Sequence, residues 1–259
     1  MKLNYINNGN ISNLELNKTN SYSNAFTTLA PLQVDAVDKY TLSLLLFNES
    51  VITDKITSNI WKISGNPTLN SNIYKFNSCS LYLNGSSYIY LENLSINSDF
   101  TIEFFAYPTS SKKGYLFGGF NSNYGTSGYN TNYWFALDIY QYSKLSPCLI
   151  LYANDTDGNK ILNLNNWNHL AVTYSNNLVN VFLNGNIALS KSISVKLGGS
   201  FSIGTNPIKS ECFTGYIDEF RISNIVRYTS NFNPPEYSFL SYTNTNSLTP
   251  YYSNMSKII

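Results

Sequence analysis

His169 is the single histidine of the chain, so any Ser-His or His-based general-base chemistry has to pass through it. It stands inside Trp167-Asn168-His169-Leu170-Ala171-Val172-Thr173-Tyr174, a segment that alternates as a strand does, and the expectation is a ring satisfied within a sheet. Glycoside hydrolysis asks for two carboxyl groups facing each other, about 5–5.5 Å apart in retaining enzymes. Glu103 alone marks its strand, and Asp218 and Glu219 are adjacent, which sends their side chains to opposite faces of a regular strand. The hydrolase pattern is missing. A local charge network of Asp218 and Glu219 with Arg221 or Arg227 is expected instead.

Two other constellations could hold a ligand. Asp155, Asp157 and Asn159 alternate as oxygen ligands for a hard cation do, which makes calcium the one cofactor to consider. The spacing is too short for a full calcium loop, no bidentate Glu follows, and Asp157-Gly158 in a hairpin turn accounts for the same residues. Between Asn121 and Tyr133 the aromatic residues Tyr124, Tyr129 and Tyr133, followed by Trp134, alternate with Gly, Ser and Asn. Rigid aromatic area beside adaptable hydrogen-bonding groups is the composition of binding loops, and aromatic faces stack on sugar rings. An ordinary polar loop in a tyrosine-rich chain is the alternative. Cys79, Cys148 and Cys212 are odd in number and far apart, with neither metal spacing nor a disulfide framework, which fits a protein made in a reducing cytoplasm.

The elements that must position these residues are short strands. Charged residues make up 12% of the 259, well under the roughly 25% of an average domain, while aromatics reach 15% with 22 Tyr. Net charge is +1 with no basic patch, which argues against a nucleic-acid partner. No apolar run has signal-peptide or membrane-spanning length, so neither N-terminal export nor membrane insertion is expected. Thr41–Phe47, Ser80–Leu83, Tyr88–Leu91, Phe100–Tyr107, Gly114–Phe120, Tyr133–Tyr140, Cys148–Ala153, Lys160–Leu164, Trp167–Tyr174, Leu178–Leu183, Ile187–Leu189, Ser200–Ile203 and Gly215–Ser223 read as strands. Asn84-Gly85 and Asn184-Gly185 mark tight hairpins. No segment carries a sustained helical period. The last strand breaks its own alternation: Ile217 is out of phase with Phe220 and Ile222, and a β-bulge at Asp218-Glu219 would let all three face the core.

Four segments in order carry a resemblance: Phe100-Thr101-Ile102-Glu103-Phe104-Phe105-Ala106-Tyr107-Pro108, the Trp167–Tyr174 strand, Val181-Phe182-Leu183-Asn184-Gly185, and Gly215-Tyr216-Ile217-Asp218-Glu219-Phe220-Arg221-Ile222-Ser223. Together they resemble the laminin-G-like, concanavalin A-like family over roughly residues 40–237. The resemblance implies an all-β fold, a two-sheet antiparallel jelly-roll sandwich. The closing stretch from Val226 to Pro235 is similar to the version found in bacteriophage virion and tail-fibre proteins. The expected organisation is an extended N-terminal arm over 1–38, the sandwich over 39–237 and a polar, aromatic tail over 238–259.

Fold alone licenses no function. The reading that the residues and the resemblance support is a non-enzymatic structural or appendage protein of a phage virion: a capsid decoration, head fibre or tail fibre. It would be made in the host cytoplasm and form oligomers. The apolar residues scattered along 1–38 would contact other virion proteins. A glycan-binding adhesin module acting on a cell surface is the alternative, and a glycoside hydrolase is disfavoured.

Overall fold

The computed structural model describes residues 38–123, 125, 126, 134–140, 148–152 and 156–239, and the backbone of 2–7 and 10–15; for 140, 148–152 and 156–161 it describes the backbone alone. Met1–Asp35 forms a compact unit of its own, separate from Ala36–Ile259. Within it β1 (Lys2–Asn7) pairs antiparallel with β2 (Asn10–Glu15), Leu3 opposite Leu14 and Ile6 opposite Ile11. The extended arm expected over this segment did not include the pairing of residues 2–15. The residues between its strands are Asn8-Gly9, the same dipeptide that signals hairpins elsewhere in the chain.

The second unit is a sandwich of two antiparallel sheets, and no helix occurs among the described residues. One sheet runs β12 (Thr156–Ile161), β11 (Cys148–Tyr152), β10 (Trp134–Tyr140), β9 (Gly114–Asn121), β16 (Leu197–Ile203), β7 (Tyr88–Ile96), β4 (Lys62–Ser64). The other runs β15 (Asn186–Ser192), β14 (Leu178–Leu183), β13 (Asn168–Ser175), β8 (Phe100–Pro108), β17 (Thr214–Ser223), β6 (Ser80–Asn84), β5 (Thr68–Asn70). An eighth strand, β3 (Thr41–Leu45), joins this second sheet on β17. Among the described strands of these two sheets, seven of the thirteen pairings join strands that are not consecutive in the chain, the jelly-roll pattern expected. Between the sheets lies an aromatic core: Phe104 stacks on Phe220 at 5.3 Å and Phe117 on Phe201 at 5.6 Å. Each such fully buried side chain contributes about 1.5–3 kcal/mol of transfer free energy.

The bulge in β17 falls where the broken alternation placed it. Asp218 stands opposite Phe105 and Arg221 opposite Glu103, so β17 advances one residue more than β8. Glu219 takes a φ of +52° to absorb the extra residue, and Ile217, Phe220 and Ile222 are all fully buried in the core. On its other edge β17 changes partner across the bulge, from β6 at residues 214–217 to β3 at 220–223.

A segment from Asn224 to Phe239 covers part of the second sheet's outer face. Tyr228 stacks on Phe232 at 3.6 Å, and both rings pack on His169 and Phe182. The Phe232 N–H donates to the Gly185 carbonyl, and Phe239 packs against Leu44 and Leu46. Arg227 binds Asp38 through both terminal nitrogens at 3.3 and 3.0 Å, and its own N–H donates to Thr101 Oγ1. The sandwich therefore takes in Asp38 at one end and Ser238 and Phe239 at the other.

Gly185 has a φ of +76°, and a Cβ there would collide with the Phe232 carbonyl oxygen. Gly199 has a φ of +86° but meets nothing nearer than Thr126 at 3.8 Å. Gly185→Ala is expected to cost more than about 1 kcal/mol and Gly199→Ala less, read as two melting temperatures. Equal losses would show that the covering segment does not depend on its close approach to Gly185.

Candidate functional site

Glu103 sits at the centre of the outer face of the second sheet, fully buried. Arg221 donates to its Oε1 through Nε at 2.9 Å and Nη2 at 2.7 Å, and the Tyr228 hydroxyl donates to Oε2 at 2.7 Å. His169 Nε2 lies 3.5 Å from Oε2. Burial by itself would raise the Glu103 carboxyl; the Arg221 charge, the His169 ring and the Tyr228 hydroxyl outweigh it and hold it at about 2. Burial and the neighbouring carboxylate push the Tyr228 hydroxyl in the other direction, well above its ordinary range. The sole histidine is thus 1% exposed between Phe105, Tyr228 and Phe232, sealed from any substrate.

Asp218 and Glu219 depart from the opposite-face expectation, and the bulge is the reason. Both carboxylates reach the same outer layer. Asp218 Oδ2 accepts from the Lys75 and Phe76 N–H groups at 2.9 and 3.2 Å. Glu219 accepts from Asn77 Nδ2 at 3.0 Å, Ser238 Oγ at 2.6 Å and the Phe239 N–H at 2.9 Å. Burial is the main cause that raises both groups, Asp218 to about 8 and Glu219 to about 7, with the Glu219 charge adding to the rise at Asp218. The Arg221 charge lowers Glu219 but is directed at Glu103, and Arg227 binds Asp38, so the expected network is redistributed. The pair fastens the 75–77 loop and the 238–239 end to the sheet, and both groups are fully buried.

Of the aromatic binding loop, Tyr124, Tyr129 and Tyr133 lie outside the described residues. Trp134 is a correction: it is 4% exposed, edge-on to Tyr115 at 6.0 Å, in a cluster with Phe120, Ala136 and Ile208. The Thr205–Ile208 segment passes close over that face, where a Cβ on Gly118 would come within 2.7 Å of the Asn206 backbone. No ring surface of Trp134 is left for a ligand. Asp155 also lies outside the described residues. Asp157 and Asn159 fall within strand β12, paired to β11, rather than in the hairpin turn expected for them. No cluster of metal-ligating side chains occurs among the described residues.

A row of aromatic side chains missing from the sequence reading crosses the open part of the second sheet's outer face. Tyr82 on β6 stands opposite Tyr216 on β17, and Tyr216 opposite Tyr107 on β8. Ring centroids are 4.9 Å apart for Tyr82–Tyr216, 5.8 Å for Tyr216–Tyr107 and 5.5 Å for Tyr107–Trp167. Trp167 immediately precedes β13, and exposed Thr68 on β5 faces Tyr82 at the other end. All four rings are half-buried. Burial, with Tyr82 and Tyr107 alongside, raises the Tyr216 hydroxyl, which is uncharged at neutral pH. Four strands at about 4.8 Å spacing give the row a length of about 14 Å. Tyr82, Tyr107 and Tyr216 each alternate along their strand with core residues (Leu81 and Leu83, Ala106, Ile217), so each is an outward position filled by an aromatic. That was the available signal; the alignment into one row depends on strand register, which spacing does not reveal.

The pH dependence of stability follows from the two kinds of buried carboxyl. Asp218 and Glu219, raised on folding, contribute stability that is full below the ordinary carboxyl range and is lost as pH rises through about 7 to 8. Glu103, depressed on folding, contributes stability that is full above that range and is lost as pH falls towards about 2. The unfolding free energy is expected to fall between about pH 5 and about pH 9 by an amount on the order of a few kcal/mol, read as a falling melting temperature, and Asp218→Asn should flatten the fall. A melt that holds or rises across that window would contradict the assignment.

Comparison with known proteins fits this architecture. Residues 83–230, more than half the chain, match the laminin-G profile of the concanavalin A-like lectin/glucanases superfamily. Among solved structures, domain 4 of AbnA, a GH43 extracellular arabinanase from Geobacillus stearothermophilus solved in complex with arabinotriose, is 19% identical. The match covers 76% of this chain and 96% of that one, with a TM-score of 0.57. The binding domain of botulinum neurotoxin serotype G is 13% identical over 83% of this chain and 51% of that one, at a TM-score of 0.49. The carbohydrate recognition domain of Emp47p is 14% identical over 73% of this chain and 100% of that one, at 0.47. Among curated proteins none matches in sequence. With its two-sheet sandwich and the match over residues 83–230, the chain belongs to the concanavalin A-like lectin/glucanases superfamily.

Proposed function

We propose that the sandwich is a non-catalytic carbohydrate-binding module and that the Tyr82–Tyr216–Tyr107–Trp167 row is its glycan platform. The observation that carries this reading is the row itself: aligned, half-exposed aromatic rings on a rigid sheet, beside a face otherwise roofed over. Aromatic faces stack on the apolar faces of sugar rings, and the tyrosine hydroxyls and the indole N–H supply hydrogen bonds at the edges. The AbnA domain, of the same fold, was solved with arabinotriose, which supports a sugar ligand for this chain. The buried carboxylates are spent on holding the structure together, which supports binding without hydrolysis. In a glycan array or affinity electrophoresis with soluble polysaccharides, the wild-type domain should bind at least one glycan. Tyr216→Ala and Trp167→Ala should each weaken that binding about tenfold or more while leaving the melt within a few degrees. Binding that survives both substitutions would place the glycan elsewhere, and a domain that binds none would sink the reading.

The setting proposed for the module is an appendage on a phage particle, supported by the resemblance of the Val226–Pro235 stretch. There the separate Met1–Asp35 unit would join neighbouring subunits. Removing residues 1–35, and sparing Asp38 for its contact with Arg227, should leave the melting temperature of the sandwich unchanged and abolish assembly. A truncated protein that still assembles would refute that role.

A further inference from the structure

Beside the aromatic row stands a cation. Lys75 lies in the 71–79 segment, which is pinned to the sheet by the bonds from the Lys75 and Phe76 N–H groups to Asp218. Its ammonium is 5.2 Å from the ring centroids of both Phe76 and Phe105, and Phe76 packs edge-on against Phe105 at 5.3 Å. Phe105 and Tyr107 point to the same side of β8, two residues apart, which is about 7 Å. Tyr228 covers the neighbouring carboxylate of Glu103 on one side of Phe105, and the aromatic row lies on the other. Lys75 is half-exposed, so its charge borders the open row, and among the described residues it forms no ion pair. Asp218 is engaged by the Lys75 and Phe76 backbone N–H groups, and burial raises its carboxyl to about 8, so it forms no ion pair with the ammonium.

We infer that the platform takes an acidic glycan, its rings stacked on the Tyr82–Tyr216–Tyr107–Trp167 row and an anionic substituent received by Lys75. This rests on the reading of the row as a glycan platform and adds the class of sugar. An ammonium held over two aromatic faces has given up part of its water shell, and an anion reaching it forms a charge-assisted hydrogen bond with little further desolvation. The backbone that carries Lys75 is fixed in advance by the Asp218 bonds, and the side chain lies against the Phe76 and Phe105 rings, which limits the ordering entropy lost when the ligand arrives.

The test uses the full chain with polygalacturonate, alginate and hyaluronan, each paired with its carboxyl-reduced, neutral counterpart, by isothermal titration or affinity electrophoresis. At least one acidic polymer should bind about tenfold more tightly than its reduced form, and the preference should shrink as salt is raised. Lys75→Gln should erase the preference without changing the affinity for the neutral form, and Lys75→Arg should keep it. If the neutral forms bind as well as the acidic ones, or if Lys75→Gln leaves the preference intact, the acidic assignment falls while the platform stands. If none of the six polymers binds and the wider array is also negative, the platform reading falls with it.

Discussion

One extra residue in β17 sets much of what surrounds it. Without the bulge at Asp218-Glu219 the strand could not bury Ile217, Phe220 and Ile222 together, since a period of two allows only part of that set on one face. The same insertion sets Arg221 opposite Glu103, where the guanidinium and the carboxylate neutralise each other away from water. It turns both Asp218 and Glu219 towards the outer layer, where their oxygens grip the 75–77 loop and the 238–239 end. It also divides one edge of β17 between β6 and β3. A local departure from regular pairing thus links core packing, the buried ion pair and the covering layer.

The outer face of the second sheet is treated in two ways. Near Glu103 it is roofed by Tyr228, Phe232 and Phe239, because a charged pair in a sheet has to be shut off from competing water or left as an ordinary surface pair of little worth. Near Tyr107 and Tyr216 the roof ends and the aromatic rings remain half-exposed. Cross-strand aromatic contacts of this kind stabilise the sheet by a few tenths to about 1 kcal/mol per pair, so the row has a structural role whatever rests on it. On the first sheet Tyr115, Phe120 and Trp134 are closed over together with Ile208, while Tyr88 and Tyr90 on β7 stay half-exposed.

Most of the fold was legible in the sequence. Alternation placed Phe100–Tyr107, Trp167–Tyr174, Leu178–Leu183 and Gly215–Ser223 close to their observed bounds, and a break in alternation located the bulge. The hairpin at residues 2–15 was missed although Asn8-Gly9 stood in plain view, because its flanking strands are polar and only weakly alternating. The candidate site was less legible. Trp134 looked available because aromatics beside Gly and Ser suggest a binding loop, yet its burial depends on the distant Thr205–Ile208 segment. Tyr82, Tyr107 and Tyr216 alternate with core residues along their strands, and Trp167 stands just before one. Only the register of four strands, fixed by contacts far apart in sequence, aligns them. The pairing of Glu103 with Arg221 was hidden for the same reason, since 118 residues separate the partners.

The contact between Asp38 and Arg227 and the aromatic row lie at opposite ends of the same strands: Thr101, beside Arg227, and Tyr107 are separated by six residues of β8, about 20 Å. β3 leaves the Asp38 end and pairs antiparallel with β17, whose first residues carry the row. A pull between whatever holds the N-terminal side and whatever sits on the row therefore runs along the strand axis. The hydrogen bonds joining β3 to β17 are then loaded in shear, all at once, whereas a pull across the strands would open them one at a time. For a module fixed at one end and gripping at the other, this strand direction is the mechanically stronger arrangement.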